Sequence, residues 1–271
     1  MVRNRYNPRI LFVIALGVAG LAATIAHSPV AQWKDYHDLA DARGFAGIPN
    51  AWNVLSNLPF LVAGILGLRF LSKPSHAFAE SWERGPYAML MSAFILVFFG
   101  SSLYHWNPTD RTLFWDRVPL ALVFSSILGI MVIERVSPRW GARLFVPFLA
   151  AGVASVVYWR LGNAEGRGDL RFYALMQGSA VLAVPLFMIL FTPRYTGGGQ
   201  LLAVVALYGV AKLFETYDKP IYALGHVLSG HTLKHLLAGL AAGLVLSMLK
   251  HRRVVEPGAP AETLVAPAPQ A

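Results

Sequence analysis

The sequence predicts an all-α, polytopic membrane protein, and three observations lead to this fold class. Hydrophobic residues make up 56% of the 271 positions, charged residues make up only 14%, and the mean hydropathy is positive. That balance is too apolar for a soluble domain of this length. Long apolar segments recur along the chain, and a helix needs about 20 mostly apolar residues to cross a bilayer. Titratable residues are sparse inside these segments and gather near their ends.

Eight segments meet the length requirement, in chain order at roughly 9–27, 51–71, 87–105, 118–134, 140–160, 170–191, 200–217 and 230–249. The first follows three arginines, as in a signal peptide. Its apolar run is longer than the hydrophobic region of a signal peptide and leads directly into further spans, so we interpret it as a retained helix. The last two spans are the least apolar because they carry Lys212, Glu215, Lys234 and a histidine pair.

The distribution of Lys and Arg over the loops predicts the orientation. With the N-terminus inside, thirteen of these residues lie on the inner side and eight on the outer side: Arg3, Arg5, Arg9, Arg69, Lys73, Arg84, Arg135, Arg139, Arg143, Arg194, Lys250, Arg252 and Arg253 against Lys34, Arg43, Arg111, Arg117, Arg160, Arg167, Arg171 and Lys219. We therefore expect a protein of the plasma (inner) membrane with both termini in the cytoplasm. The net charge of +9 is typical of anchoring to the anionic cytoplasmic leaflet and is not taken as a sign of nucleic-acid binding.

Three regions follow from this division of the chain. Residues 1–35 form a basic cytoplasmic segment and one extra transmembrane helix, and residues 36–250 form a core of seven helices. Residues 251–271 are rich in Pro and Ala and are predicted to be a disordered cytoplasmic tail.

Three of the eight histidines are the main candidates for chemistry. His231 and His235 share one face of a helix because they are four residues apart. His105 ends the third span, and under the predicted topology all three reach the same depth near the outer face. Three imidazoles with an open fourth position make a catalytic zinc site, and the absence of cysteine restricts any zinc site to His, Asp and Glu ligands. His226, five residues before His231, is a competing ligand or a residue at the entrance to the site.

Two further residues accompany the histidines, and each has an ordinary structural explanation. Ser101 lies four residues before His105, where a serine can simply serve close helix packing. Asp116 lies eleven residues after His105 and could cap a helix at the membrane surface. Lys212, Glu215 and Lys234 are interpreted as an ion pair between the last two spans, with Glu215 as an alternative acceptor for a histidine N–H.

The loop after the first span suggests a second metal. Asp38, Asp41 and Asn50 supply oxygen atoms before the second span, and calcium takes six to eight oxygen ligands. The alternative is a solvated loop followed by a capped helix start.

Taken together, these motifs resemble the alkaline ceramidases. Ser-x-x-x-His, an Asp eleven residues after that histidine and a final His-x-x-x-His match the family's pattern, and NAWNVLSNLPFLVAG at 50–64 is similar to the start of its first core helix. The resemblance covers roughly residues 36–249. The alkaline ceramidases belong to a wider superfamily of seven-helix membrane hydrolases that includes the adiponectin receptors. The first helix is additional to that pattern, and Arg43 stands where the family's calcium loop has an Asn.

The resemblance implies a zinc-dependent amidase that hydrolyses ceramide-like lipids to a long-chain base and a fatty acid. It implies zinc ligands at His105, His231 and His235, a catalytic acid–base at Asp116, and support of the oxyanion by Ser101. Calcium at Asp38, Asp41 and Asn50 would be a second cofactor. A zinc-containing receptor or structural protein without turnover, and a small-molecule transporter that uses the charges of the last two spans, are the alternatives.

Overall fold

The computed structural model describes residues 7–255, and the all-α polytopic prediction is confirmed there. Eight helices in this part of the chain are long and apolar enough to cross a membrane. The helices are α1 Pro8–Ala26, α2 Ala51–Leu55, α3 Leu58–Leu71, α4 Arg84–Trp106, α5 Asp110–Met131, α6 Pro138–Ala164, α7 Arg171–Leu190, α8 Gly198–Thr216, α9 Asp218–Ala223 and α10 Gly230–His251. Helices α2 and α3 together make one span, and a π-helical turn, Val132–Val136, extends α5.

The fourth span begins earlier than the sequence predicted. Helix α5 starts at Asp110, and the side chain of Thr109 accepts a hydrogen bond from the backbone N–H of Thr112 in a reciprocal capping box. The prediction of a start near residue 118 was wrong because four of the first eight residues of α5 are charged, which interrupts the apolar pattern. Asp116 is therefore an internal helix residue, and the alternative that it caps the helix is wrong.

Helix α1 lies at the edge of the molecule, where it packs against α7. None of its residues is buried, although its composition is strongly apolar. Arg171 at the start of α7 donates hydrogen bonds to the carbonyl oxygens of Thr24 and Ile25 and so holds the end of α1. An apolar helix that is exposed on almost every side is suited to contact with lipid.

Two glycines bring the helices that carry the candidate histidines close to their neighbours. A Cβ atom on Gly100 of α4 would collide with the backbone oxygen of Trp115 in α5. A Cβ atom on Gly230 of α10 would likewise collide with the backbone oxygen of Phe214 in α8. Small residues allow such close approach of helices in membranes. Both contacts lie at the end of the bundle where α4 ends and α10 begins, which we call the histidine end.

A buried polar network closes the opposite end of the bundle. The guanidinium of Arg252 lies 2.5 Å from a carboxylate oxygen of Glu134 and 2.9 Å from the Tyr87 hydroxyl, and it also donates to the carbonyl oxygen of Ala77. Its planar group lies over the rings of three aromatic residues, Phe78, Tyr87 and Tyr195. Removing one partner of a buried ion pair costs about 3–5 kcal/mol because the other charge is left uncompensated.

This network involves residues that the sequence assigned to the tail. His251 is still helical, Arg252 is buried, and Val254 forms a bridge with Tyr195. Residues 253–255 are also hydrogen-bonded through their backbone to residues 194–196, so 251–255 are attached to the bundle. The rest of the predicted tail, 256–271, and the first six residues of the N-terminal basic segment lie outside the described residues.

Candidate metal centre

Three histidines converge at the histidine end of the bundle. His105, His231 and His235 are all buried, and one ring nitrogen of each lies within 4.8 Å of the others. The ring centroids of every pair are 4.8 Å apart, and the planes are inclined by 61° to 82°. Three ring nitrogens this close together could hold a metal ion. The prediction that these three residues meet is confirmed, and they are the only such His, Cys, Asp or Glu group in residues 7–255.

Helix geometry explains why the group forms. His105 is the second-last residue of α4, while His231 is the second residue of α10, so two antiparallel helices place them at the same level. The Ser229 side chain accepts a hydrogen bond from the backbone N–H of Thr232 and fixes where α10 begins. His235 then follows one turn later on the same face as His231.

The backbone at His105 and at His231 is held by side chains that the sequence analysis did not identify. The backbone N–H of His231 donates to a carboxylate oxygen of Asp218 at 2.8 Å, and the other oxygen of Asp218 accepts from the N–H of Ala40. The amide of Asn50 donates to the carbonyl oxygen of His105 at 2.8 Å. Asn50 thus connects the loop after α1 to α4, and Asp218 connects the same loop to α10.

The orientation of the His235 ring is fixed by α2. Its Nδ1 lies 3.1 Å from the carbonyl oxygen of Asn53 and 3.0 Å from the hydroxyl of Ser56. With the proton on Nδ1 donated to that carbonyl, the lone pair of Nε2 remains free for a metal, and metal-binding histidines usually have such a partner. Glu215, the acceptor considered from the sequence, makes no hydrogen bond with the His235 ring. The cluster of Asn and Ser in NAWNVLSN was the available signal, because amides are rarely placed in an apolar span without a partner.

Ser101 lies one turn before His105 on α4, and Asp116 lies on α5, which packs against α4. Both are buried, and the Ser101 side chain lies near the Asp116 carboxylate. The tight contact between Gly100 and Trp115 explains this proximity, because Ser101 directly follows Gly100 and Asp116 directly follows Trp115. Asp116 also lines the large cavity of the protein together with His231. The cavity wall thus carries one histidine of the candidate metal centre and the Asp116 carboxylate.

That cavity has a volume of about 790 Å³ and is mainly apolar. It begins beneath the loop after α1, at Gln32, Trp33 and Tyr36, and continues between α4, α5, α7, α8 and α10. Aliphatic and aromatic side chains form most of its wall beyond the histidine end. A cavity of this volume and lining suits a ligand with a long hydrocarbon part. The sequence did not predict this space, because it depends on how five helices pack.

The charged residues of the last two spans form an ion pair, as predicted. The ammonium of Lys234 lies 2.6 Å from one carboxylate oxygen of Glu215, and Lys212 contacts the other oxygen. The pair joins α10 to α8. These three charges are therefore engaged with one another, whereas a transporter would need them to bind its solute.

The residues proposed for calcium have protein partners. Asp41 is bonded twice by the Arg43 guanidinium, at 2.7 and 2.8 Å, and Asp38 lies 2.5 Å from Lys219. Burial acts to raise the pKa of the Asp41 carboxyl, but its hydrogen bonds with Arg43 and the charge of Arg43 lower that pKa overall. Asn50 uses its amide nitrogen on His105. The calcium hypothesis for Asp38, Asp41 and Asn50 therefore gains no support from these contacts.

His226 lies apart from the candidate centre. It is exposed, has a positive φ of 54° and packs against the ring of Tyr222. It belongs neither to the histidine group nor to the cavity wall. His105, rather than His226, completes the group with the pair on α10.

No protein-family model matches the chain, and no curated protein is significantly similar to it. The resemblance to the ceramidases rests on the residues and their spacing.

Proposed function

We propose that this protein is an intramembrane zinc-dependent amidase that hydrolyses ceramide-like lipids to a long-chain base and a fatty acid. One observation carries the proposal: three buried histidines form a group that could hold a metal ion, and one of them, His231, lines a long apolar cavity together with the buried carboxylate of Asp116. Titratable groups are costly inside a membrane and are usually retained there for function.

The histidine group suits zinc. Its ligands are three nitrogen atoms, the set found in catalytic zinc sites with an open fourth position. The buried Nδ1 of His105 has no hydrogen-bond partner, and an unsatisfied buried nitrogen is unusual unless a ligand occupies the space beside it. Bound zinc would polarise the carbonyl of an amide and make a water molecule nucleophilic at neutral pH.

The remaining chemistry falls to Asp116 and Ser101. The Asp116 carboxylate accepts the proton of the attacking water and returns it to the leaving nitrogen, as a general base and then a general acid. The Ser101 hydroxyl donates a hydrogen bond to the carbonyl oxygen as negative charge develops on it. Their proximity allows both groups to face one reacting carbonyl.

The cavity suits the lipid part of the substrate. Its apolar wall can take a hydrocarbon chain while the amide stays at the histidine end, where the polar side chains lie. A free-energy gain of about 0.8 kcal/mol accompanies the burial of each methylene group. A substrate with a long chain would therefore bind more tightly than a short soluble amide.

Hydrolysis of a lipid-amide panel by the purified protein tests the proposal. We expect release of fatty acid from ceramide-like amides. A zinc-containing receptor or structural protein would bind lipid without releasing product. A transporter would move solute, and that movement would survive loss of His231. Either outcome, without amide hydrolysis, would contradict the proposed activity.

The proposal places the histidine end near the outer face of the membrane, with both termini in the cytoplasm. The chain has no cysteine, so single cysteines report topology cleanly. Glu165→Cys lies in an exposed loop at the histidine end, and Lys73→Cys lies in an exposed loop at the opposite end. In intact cells we expect a membrane-impermeant thiol reagent to label Glu165→Cys but not Lys73→Cys, as the loop charges predict. The reverse labelling pattern would place the site on the cytoplasmic side.

A further inference from the structure

The cavity continues far beyond the candidate metal centre. Helix α4 carries His105 at the histidine end and Tyr87, which lines the cavity, eighteen residues earlier. At a rise of 1.5 Å per residue these positions are roughly 27 Å apart along the helix. Leu201, near the opposite end of α8, lines the same space. The cavity thus reaches from the histidine end almost to the opposite end of the bundle.

Tyr87 is part of the cavity wall at that far end. Its hydroxyl donates to Glu134 at 2.9 Å and accepts from Arg252 at 2.9 Å. The ring packs edge-on against Phe78 at 5.8 Å. Glu134, Arg252 and Phe78 are buried and do not line the cavity, so they stand behind Tyr87 as seen from the histidines.

These bonds make Tyr87 a fixed wall. The side chain is 3% exposed, and swinging it aside would break hydrogen bonds to both members of a buried ion pair. Such bonds to charged groups are stronger than neutral ones. A hydrocarbon chain that reaches Tyr87 therefore cannot gain space by a simple side-chain rotation.

We propose that Tyr87, braced by Glu134 and Arg252, limits the length of the hydrocarbon chain that the protein accepts. This inference rests on the proposed function in one respect, that the cavity holds the chain of the lipid substrate. The ring acts as a specificity-determining floor and takes no part in the chemistry. Chains that end before Tyr87 fit, and longer chains must bend or leave the amide displaced from the histidines.

Tyr87→Ala and Ala242→Phe should move this limit in opposite directions. Tyr87→Ala removes the ring that limits the chain. Tyr87→Phe is an intermediate variant that keeps the ring and loses the hydroxyl. Ala242 lines the cavity on α10, eleven residues after His231, or roughly 16 Å along the helix. Ala242→Phe therefore raises a new obstacle between the histidines and Tyr87.

The experiment compares kcat/KM across synthetic ceramides with saturated acyl chains of increasing length. Tyr87→Ala is expected to raise the ratio for long over medium chains about tenfold, the discrimination that a methylene makes in an apolar pocket. Ala242→Phe is expected to lower it by a similar factor. Tyr87→Phe, which keeps the ring but loses its bonds to Glu134 and Arg252, is expected to raise the ratio less than Tyr87→Ala does. An unchanged profile in both Tyr87→Ala and Ala242→Phe would overturn the proposal. If Tyr87→Ala does not fold, a profile for Ala242→Phe that does not move toward shorter chains overturns it.

A second measurement separates this inference from the hydrolase activity. Binding of fluorescent single-chain fatty acids of increasing length is measured on the same variants and requires no turnover. A shift of the preferred length to longer chains in Tyr87→Ala and to shorter chains in Ala242→Phe supports the floor even if no variant hydrolyses an amide. Hydrolysis with no shift in either measurement would leave the amidase in place and refute the role of Tyr87.

Discussion

His231→Ala and His235→Ala are each expected to lose the bound metal and, with it, amide hydrolysis. Each substitution removes one of three nitrogen ligands, and the two that remain bind zinc poorly. Metal analysis of the purified variants should show occupancy falling from about one zinc per chain to near zero. Circular dichroism on the same samples checks that the helices remain.

His226→Ala is the matched control, because this histidine is near in sequence but exposed and outside the histidine group. It should retain both zinc and activity. Full zinc occupancy in the His231→Ala,His235→Ala double variant would show that the metal is held elsewhere. Complete loss of zinc from His226→Ala would show that the ligand set is wrong.

Asp116→Asn is expected to keep zinc while losing hydrolysis by about 10²–10⁴-fold, because an amide cannot accept the proton of the attacking water. The substitution preserves the size of the side chain and the possibility of a hydrogen bond with Ser101. Equal metal content in the variant and the wild type would separate the loss of chemistry from the loss of the site. Steady-state hydrolysis of a ceramide-like amide provides the measurement.

Ser101→Ala is the companion variant and should be less severe, since it removes a single hydrogen bond to the oxyanion, worth about 10²–10³-fold at most. Near-native turnover by Asp116→Asn would show that the base lies elsewhere. A larger loss in Ser101→Ala than in Asp116→Asn would contradict the roles assigned to the two residues.

The sequence was sufficient to predict the helices and the histidine group, because both depend on simple spacing. Apolar runs of membrane length predict the spans, and the i,i+4 pair on α10 with a histidine at the end of α4 predicts the meeting point. The start of α5 could not be found in this way. Four of its first eight residues are charged, and its start is defined by the capping box at Thr109.

Features that depend on packing were beyond the reach of the sequence. The hydrogen bond from His235 Nδ1 to Asn53 joins residues 182 positions apart, and no local pattern indicates such a partner. The bond between Asp218 and the His231 backbone, and the floor at Tyr87, depend in the same way on which helices are neighbours. For the loop after α1 the sequence suggested either a calcium site or a solvated loop, and in the structure Arg43 and Lys219 supply the positive charges beside its carboxylates.

The central claim is that the histidine group holds a zinc ion on which amide hydrolysis depends, and a metal titration tests it most directly. Purified protein is stripped with a chelator, zinc is returned in steps, and bound zinc and hydrolysis of a ceramide-like amide are measured on each sample. We expect activity to rise in proportion to zinc and to level off at about one ion per chain. His231→Ala, treated identically, should neither bind the ion nor recover activity. Hydrolysis that persists in the stripped protein, or a fully loaded protein that releases no fatty acid from any lipid amide, would contradict the claim.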